Sequence, residues 1–275
     1  MRYQCGVTDI PHQGAFTHLS AAETRVAATL ARPRRLAVAC VLLLTGLGWA
    51  ALGLMAADAD IWIALCQPLG AGGGVELVLV LAMWVAMTLA MMLPTAGPMI
   101  LTYAEIAETA ARQQEPAASP LILTAGYVSV WLGFAAVATA LQFVLTQMAM
   151  LDAGRASPLL AAAVFIGAGL YQFSRLKHAC LTLCQRPFPF FFANWTAEPG
   201  GVFRLGLSQG LYCLGCCWAL MLVMLAAGAM NVIWMAALGV AMTIEKMTTT
   251  ARFAHAVGIV FVAIGLGIVA MIVVK

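Results

Sequence analysis

An all-α, polytopic transmembrane helical bundle is the fold class this sequence predicts, and three observations predict it. Charged residues make up only 9% of the chain against 63% hydrophobic ones, far below the roughly 25% charge of a soluble domain. The apolar residues gather into charge-free runs, each near the roughly 20 residues a helix needs to cross hydrocarbon. Lysine and arginine fall almost entirely on alternate loops between those runs, the sorting that fixes orientation in a membrane.

The runs give about seven spans. The first covers about 36–56 and the second about 77–99. The third lies within 121–150, and the fourth covers about 159–173 and continues into the following segment. The fifth and sixth share the charge-free run 205–244 and turn near 228–231, and the seventh covers about 255–274. Six is the count if the turn near Gly228 or the fourth span is misread. Residues 103–113 carry helix formers that extend the second helix beyond Pro98. The aromatic, proline-rich stretch 186–203 reads as a long loop lying at headgroup depth, where aromatic side chains collect.

With the N-terminus cytoplasmic, one side receives Arg2, Arg25, Arg32, Arg34, Arg35, Arg112, Arg175, Lys177, Arg186, Arg204, Lys246 and Arg252. The other side receives only Arg155 and Lys275. That asymmetry predicts an odd span count and an external C-terminus. The net charge of +3 follows from this sorting. The partner it implies is the lipid bilayer, and nothing points to nucleic acid. Residues 1–35 form a polar N-terminal tail and 36–275 the transmembrane helical domain. The first apolar run is longer than a signal-peptide core and reads as a retained span.

Chemistry is concentrated in sulfur. Cys213, Cys216 and Cys217 stand in a charge-free run at i, i+3 and i+4, hence on one helical face. Met221 and Met224 continue that face. An apolar helix needs no thiol cluster to insert, and thiolate and thioether ligands suit soft metals, Cu(I) above all. Met83, Met87 and Met91 recur every four residues, with Met92 beside them, and end at Pro94 and Pro98. This stripe reads either as adaptable packing or as a neutral soft-metal ladder.

Cys180 and Cys184 share a face at i, i+4, with Lys177 and His178 within a turn. A nearby cation favours the thiolate, the form that binds metal. The alternative is a pair of buried thiols at a helix end. The distance along the helices from this pair to Cys213 weighs against a single cluster, and one joint site or separate entry and deeper sites both stay open. Met242 and Glu245 close the sixth span beside Lys246. Glu245 reads as a hard ligand, a proton acceptor or a salt-bridge partner, while Lys246 reads as a lysine snorkelling to the interface. Cys66 is the one cysteine in an external loop, so structural disulfides within the chain are not expected. His255, Glu76, Cys40 and the tail residues Cys5, His12 and His18 carry weaker signals. No nucleotide-binding glycine loop, zinc-protease motif or nucleophile elbow is present, so nothing marks the chain as an enzyme.

Four pieces together resemble a bacterial family of predicted metal-binding integral membrane proteins, a domain-of-unknown-function family. They are MWVAMTLAMMLP in the second span, LKHACLTLC after the fourth, GLYCLGCCWALMLVM in the fifth and MTIEK at the end of the sixth. The resemblance implies a multi-pass protein of the bacterial inner (cytoplasmic) membrane with a metal site, and it supplies no reaction. The preference for copper comes from ligand chemistry, with zinc or another soft metal also compatible.

The expected function is Cu(I) binding for copper transport, delivery or metalloenzyme assembly, with a membrane complex or metallochaperone as partner. The expected ligands are Cys213, Cys216, Cys217, Cys180, Cys184, His178, Met83, Met87, Met91, Met92, Met221, Met224, Met242 and Glu245. Two other readings stay in view. Cys213-Leu214-Gly215-Cys216 is a C-x-x-C spacing used by thiol–disulfide oxidoreductases. The chain can also be a structural or assembly subunit of a larger membrane complex.

Overall fold

The structure is a computed structural model that describes residues 33–58, 74–152, 155–227, 232–248 and 250–274. The N-terminal tail with Cys5, His12 and His18, the segment holding Cys66, and the turn at 228–231 lie outside the described residues. The described elements are nine helices, α1 Pro33–Ala57, α2 Gly74–Arg112, α3 Pro120–Gln147, α4 Pro158–Tyr171, α5 Arg175–Gln185, α6 Pro187–Ala193, α7 Pro199–Ala227, α8 Val232–Met247 and α9 Arg252–Val274. A single antiparallel pairing of two-residue strands, β1 Leu151–Asp152 and β2 Arg155–Ala156, ties the α3–α4 connection.

Among the described residues, five helices are long and apolar enough to cross a membrane: α1, α2, α3, α7 and α9. The fourth expected span is broken rather than continuous. The chain bends by 64° between α4 and α5, and the pair together makes a sixth candidate. Ser174 causes the restart, because its side chain accepts a hydrogen bond from the Lys177 backbone N–H and caps α5. The expected sixth span, α8, has 16 residues and is about 24 Å long, short of the roughly 30 Å hydrocarbon core.

Other expectations hold with local reasons. The second helix runs on past Pro94 and Pro98 to Arg112, about 58 Å in all. Each proline removes a backbone donor from the helix ladder. Cross-helix bonds concentrate there: the Tyr127 hydroxyl reaches the Met92 carbonyl at 3.1 Å. The stretch after Arg186 is not one long loop, since seven of its residues form α6. Phe191 of α6 is fully buried against Tyr103, while Phe188 and Phe192 face outward.

Helices α2 and α7 sit at the centre of the bundle, with more than half of their apolar windows buried. The packing pairs are α1 with α2, α3 with α7, and α4 with α9. Small residues permit these approaches, as they do between membrane helices generally. A Cβ on Gly206 would stand 2.1 Å from the Leu123 carbonyl oxygen, and one on Gly126 would stand 2.2 Å from that of Phe203.

The contacts also fix helix directions. Gly126 meets Phe203 to Leu207 while Val130 meets Gly210, so α3 and α7 run parallel. Met91 meets Gly239 and Thr95 meets Lys246, so α2 and α8 run parallel. Gly169 meets Gly258 and Gly265 meets Ala162, so α4 and α9 run antiparallel. Trp84 bonds Gln142 and Tyr103 bonds the Ala118 carbonyl, so α2 and α3 are antiparallel.

Candidate metal centre

Helix α7 contributes a cysteine turn at the middle of the bundle. Cys213, Cys216 and Cys217 are all 0–1% exposed. The turn is pinned from outside by α4, whose Tyr171 hydroxyl donates to the Gly215 carbonyl. Helix α5 packs across the same turn. The Cys180 sulfur comes within 2.7 Å of where a Cβ on Gly215 would sit, so any larger residue there would push α5 away.

This packing brings α5 and α7 thiols into one group, where the sequence left one joint site and two separate ones both open. The sulfurs of Cys184, Cys213 and Cys216 all lie within 4.8 Å of one another. Distance along single helices overstates the separation of the two groups. The bend at Ser174 lays α5 across α7 and removes that separation. A soft metal about 2.3 Å from each sulfur would hold them roughly 4 Å apart in a trigonal plane, so the spacing fits without large movement. Cys217 lies just outside the group, its sulfur 3.3 Å from that of Cys216. Cys180 is on the same helix as Cys184 but is not one of the grouped thiols.

The surroundings of Cys213 are polar and were not foreseen. The Lys246 ammonium donates to the Cys213 sulfur at 2.9 Å and to the Thr95 hydroxyl at 2.6 Å. Thr95 in turn donates to the Met92 carbonyl at 2.8 Å. The Tyr127 hydroxyl stands 3.0 Å from the Cys213 sulfur. Cys216 donates its S–H to the Cys213 carbonyl at 3.1 Å. Lys246 is thus turned inward at the thiols and not toward the interface, as its place at the end of a charge-free run suggested.

The remaining candidates fall elsewhere around this centre. Glu245 Oε2 accepts from Lys177 at 2.8 Å, and both side chains are 0–2% exposed. Lys177 also donates to Gln172. Lys177 and Lys246, both counted as loop cations in the topology argument, are therefore committed inside the bundle. His178 packs edge-on against His255, which stacks on Phe173. Met83, Met87, Met91, Met92, Met221, Met224 and Met242 are all buried in the core. Met91 faces Gly239 of α8, its methyl 3.5 Å from the position of a Cβ there.

The fold and the thiol group meet a known family at this point. A family profile described as PpoB2, copper chaperone, matches residues 81–268. The chain belongs to that family. The match spans α2 to α9 and takes in every cysteine of the centre. It agrees with the metal-binding family that the sequence motifs resemble. No curated protein and no solved structure matches the chain. Family membership and the three-thiol group together point to copper as the metal bound.

Proposed function

We propose that this protein is a membrane-embedded Cu(I) chaperone that holds the ion between α5 and α7 and passes it to a partner. The observation that carries this reading is the convergence of Cys184, Cys213 and Cys216 within 4.8 Å from two separate helices. Soft thiolates select Cu(I), and burial keeps competing hard ligands away. Charge balance supports the same reading. One Cu(I) with three thiolates carries a net charge of −2, and the Lys246 ammonium beside Cys213 offsets half of it. A smaller net charge is the one a low-dielectric interior tolerates better. The buried methionines can then serve as neutral soft donors that add no charge along the interior.

The redox reading draws less support. Cys213 and Cys216 are 0–1% exposed, and neither lines the cavity beside the thiol group.

The test is elemental analysis of protein purified anaerobically without chelator. Wild type is expected to carry about one copper per chain, and Cys213→Ser and Cys216→Ser are expected to abolish it. Wild-type protein with no copper and intact thiols would sink the reading.

A further inference from the structure

A cavity of about 90 Å³ lies beside the thiols, lined in part by Thr95, Tyr127, Cys184, Gln209, Thr243 and Lys246. Cys184 is the one member of the thiol group that lines it. Pro94, Pro98 and Met247 also line the cavity and are exposed, so it opens outward there. Its inner wall is built to meet an acceptor. Gln209 is 1% exposed, and its amide nitrogen has no partner among the described residues. A buried donor left unpaired is costly unless something fills it. Lys246 offers a positive charge on the same wall. An anion with a soft donor atom satisfies Gln209, Lys246 and copper together. The volume amounts to about three water molecules, enough for one thiolate arm and not for a whole tripeptide.

We propose that this cavity is the exchange port of the copper site, a binding site for a single incoming thiolate, with Cys184 as the ligand that is replaced. The inference rests on the copper reading above and adds the route and order of transfer. Cys213 and Cys216 share one rigid turn of α7, and two thiolates suffice for Cu(I). Cys184 comes from the short, separately capped α5 and faces the port. The incoming sulfur brings its own electron pair and forms a bond to copper. The copper–Cys184 bond breaks with its pair staying on the Cys184 sulfur. Copper remains Cu(I) throughout, and no electron is transferred.

The experiment uses full-length protein loaded with Cu(I) in detergent, with an excess of a bulky colorimetric Cu(I) chelator as the final acceptor. Copper release is followed with 2-mercaptoethanol in one arm and a C-x-x-C peptide in the other. Thr243→Phe, which fills the port without touching a thiol, is expected to keep the copper content and slow release at least about tenfold. Release by 2-mercaptoethanol alone would identify a free small thiol as the copper acceptor, and release only by the peptide would identify a protein carrier. Either one acting through the port supports the proposal. Wild-type release rates in copper-loaded Thr243→Phe would overturn the port and leave the copper reading intact, whereas copper-free wild type removes both.

A second measurement needs no variant. In metal-free wild type, a small thiosulfonate reagent with peptide mapping is expected to modify Cys184 before Cys213, Cys216 and Cys217, and copper is expected to protect it. First reaction at Cys213 or Cys216 would overturn the proposal.

Discussion

At the scale of residues, Lys246 distinguishes this centre from a bare group of thiols. Its ammonium sits 2.9 Å from the Cys213 sulfur and is held there by Thr95. Groups that orient and tune a metal ligand typically contribute about 10–100-fold in affinity. Lys246→Met is therefore expected to weaken Cu(I) binding by about that factor, read by competition with a chelator of known affinity, while Lys246→Arg keeps the charge and most of the affinity. Equal affinity in Lys246→Met would refute the charge-balance argument. The thiols themselves were legible in the sequence, because three cysteines in a charge-free run demand a chemical reason. Lys246 was not, because a lysine at the end of such a run looks the same whether it snorkels outward or turns inward. The difference is set by the rotation of α8, which depends on contacts with Thr95, distant in sequence. Glu245 and Lys246 are adjacent, so their side chains diverge by about 100° on the helix, one toward Lys177 and the other toward Cys213. Gln209 and Tyr127 were missed for the same reason: a single polar residue in an apolar helix carries no periodicity that names its partner.

At the scale of elements, the placement of Cys184 depends on how α5 is tied to its neighbours. The Lys177–Glu245 pair joins α5 to α8 with both side chains 0–2% exposed. Gln185 adds bonds from α5 to the backbone carbonyls of Glu245 and Thr248. A buried pair stripped of one partner leaves an uncompensated charge and costs about 3–5 kcal/mol, while replacing both partners with apolar groups is often neutral. Glu245→Gln is therefore expected to lower the thermal unfolding midpoint in detergent strongly, and the double variant Lys177→Met/Glu245→Leu to recover much of the loss. A double variant as unstable as the single one would show that the pair contributes attraction beyond mutual neutralisation. The long helices were legible from hydropathy alone, including the run of α2 through two prolines. The α4–α5 break was not. Ser174 caps α5, but Lys177 stands where a capping box would carry Glu or Gln, so the restart has no recognisable signature. That missed bend is also why the two cysteine groups looked far apart.

At the scale of the whole molecule, helix directions bear on how the chain threads a membrane. Helices α3 and α7 run parallel. The chain between them must then return to the side where α3 began, which requires an odd number of crossings. The α4–α5 pair is the segment available. Helix α4 rises about 21 Å and α5, bent by 64°, adds roughly 7 Å along the same axis, close to the 30 Å of hydrocarbon. A re-entrant α4–α5 would leave α7 antiparallel to α3, against the observed packing. The parallel run of α2 and α8 and the antiparallel run of α4 and α9 fit the same threading, with α8 as a further, short crossing. The charge sorting survives the removal of Lys177 and Lys246 from the loops, since Arg112, Arg186, Arg204 and Arg252 still share the side of the N-terminal arginines. We propose seven crossings with the N-terminus cytoplasmic. Single-cysteine accessibility in intact cells, on a background lacking the native surface thiols, tests it. A cysteine at Ala156 is expected to react with an impermeant maleimide, and cysteines at Gln113 and Ala251 only after permeabilisation. Reaction at Ala251 in intact cells would mean that α4–α5 or α8 fails to cross, and would refute this threading.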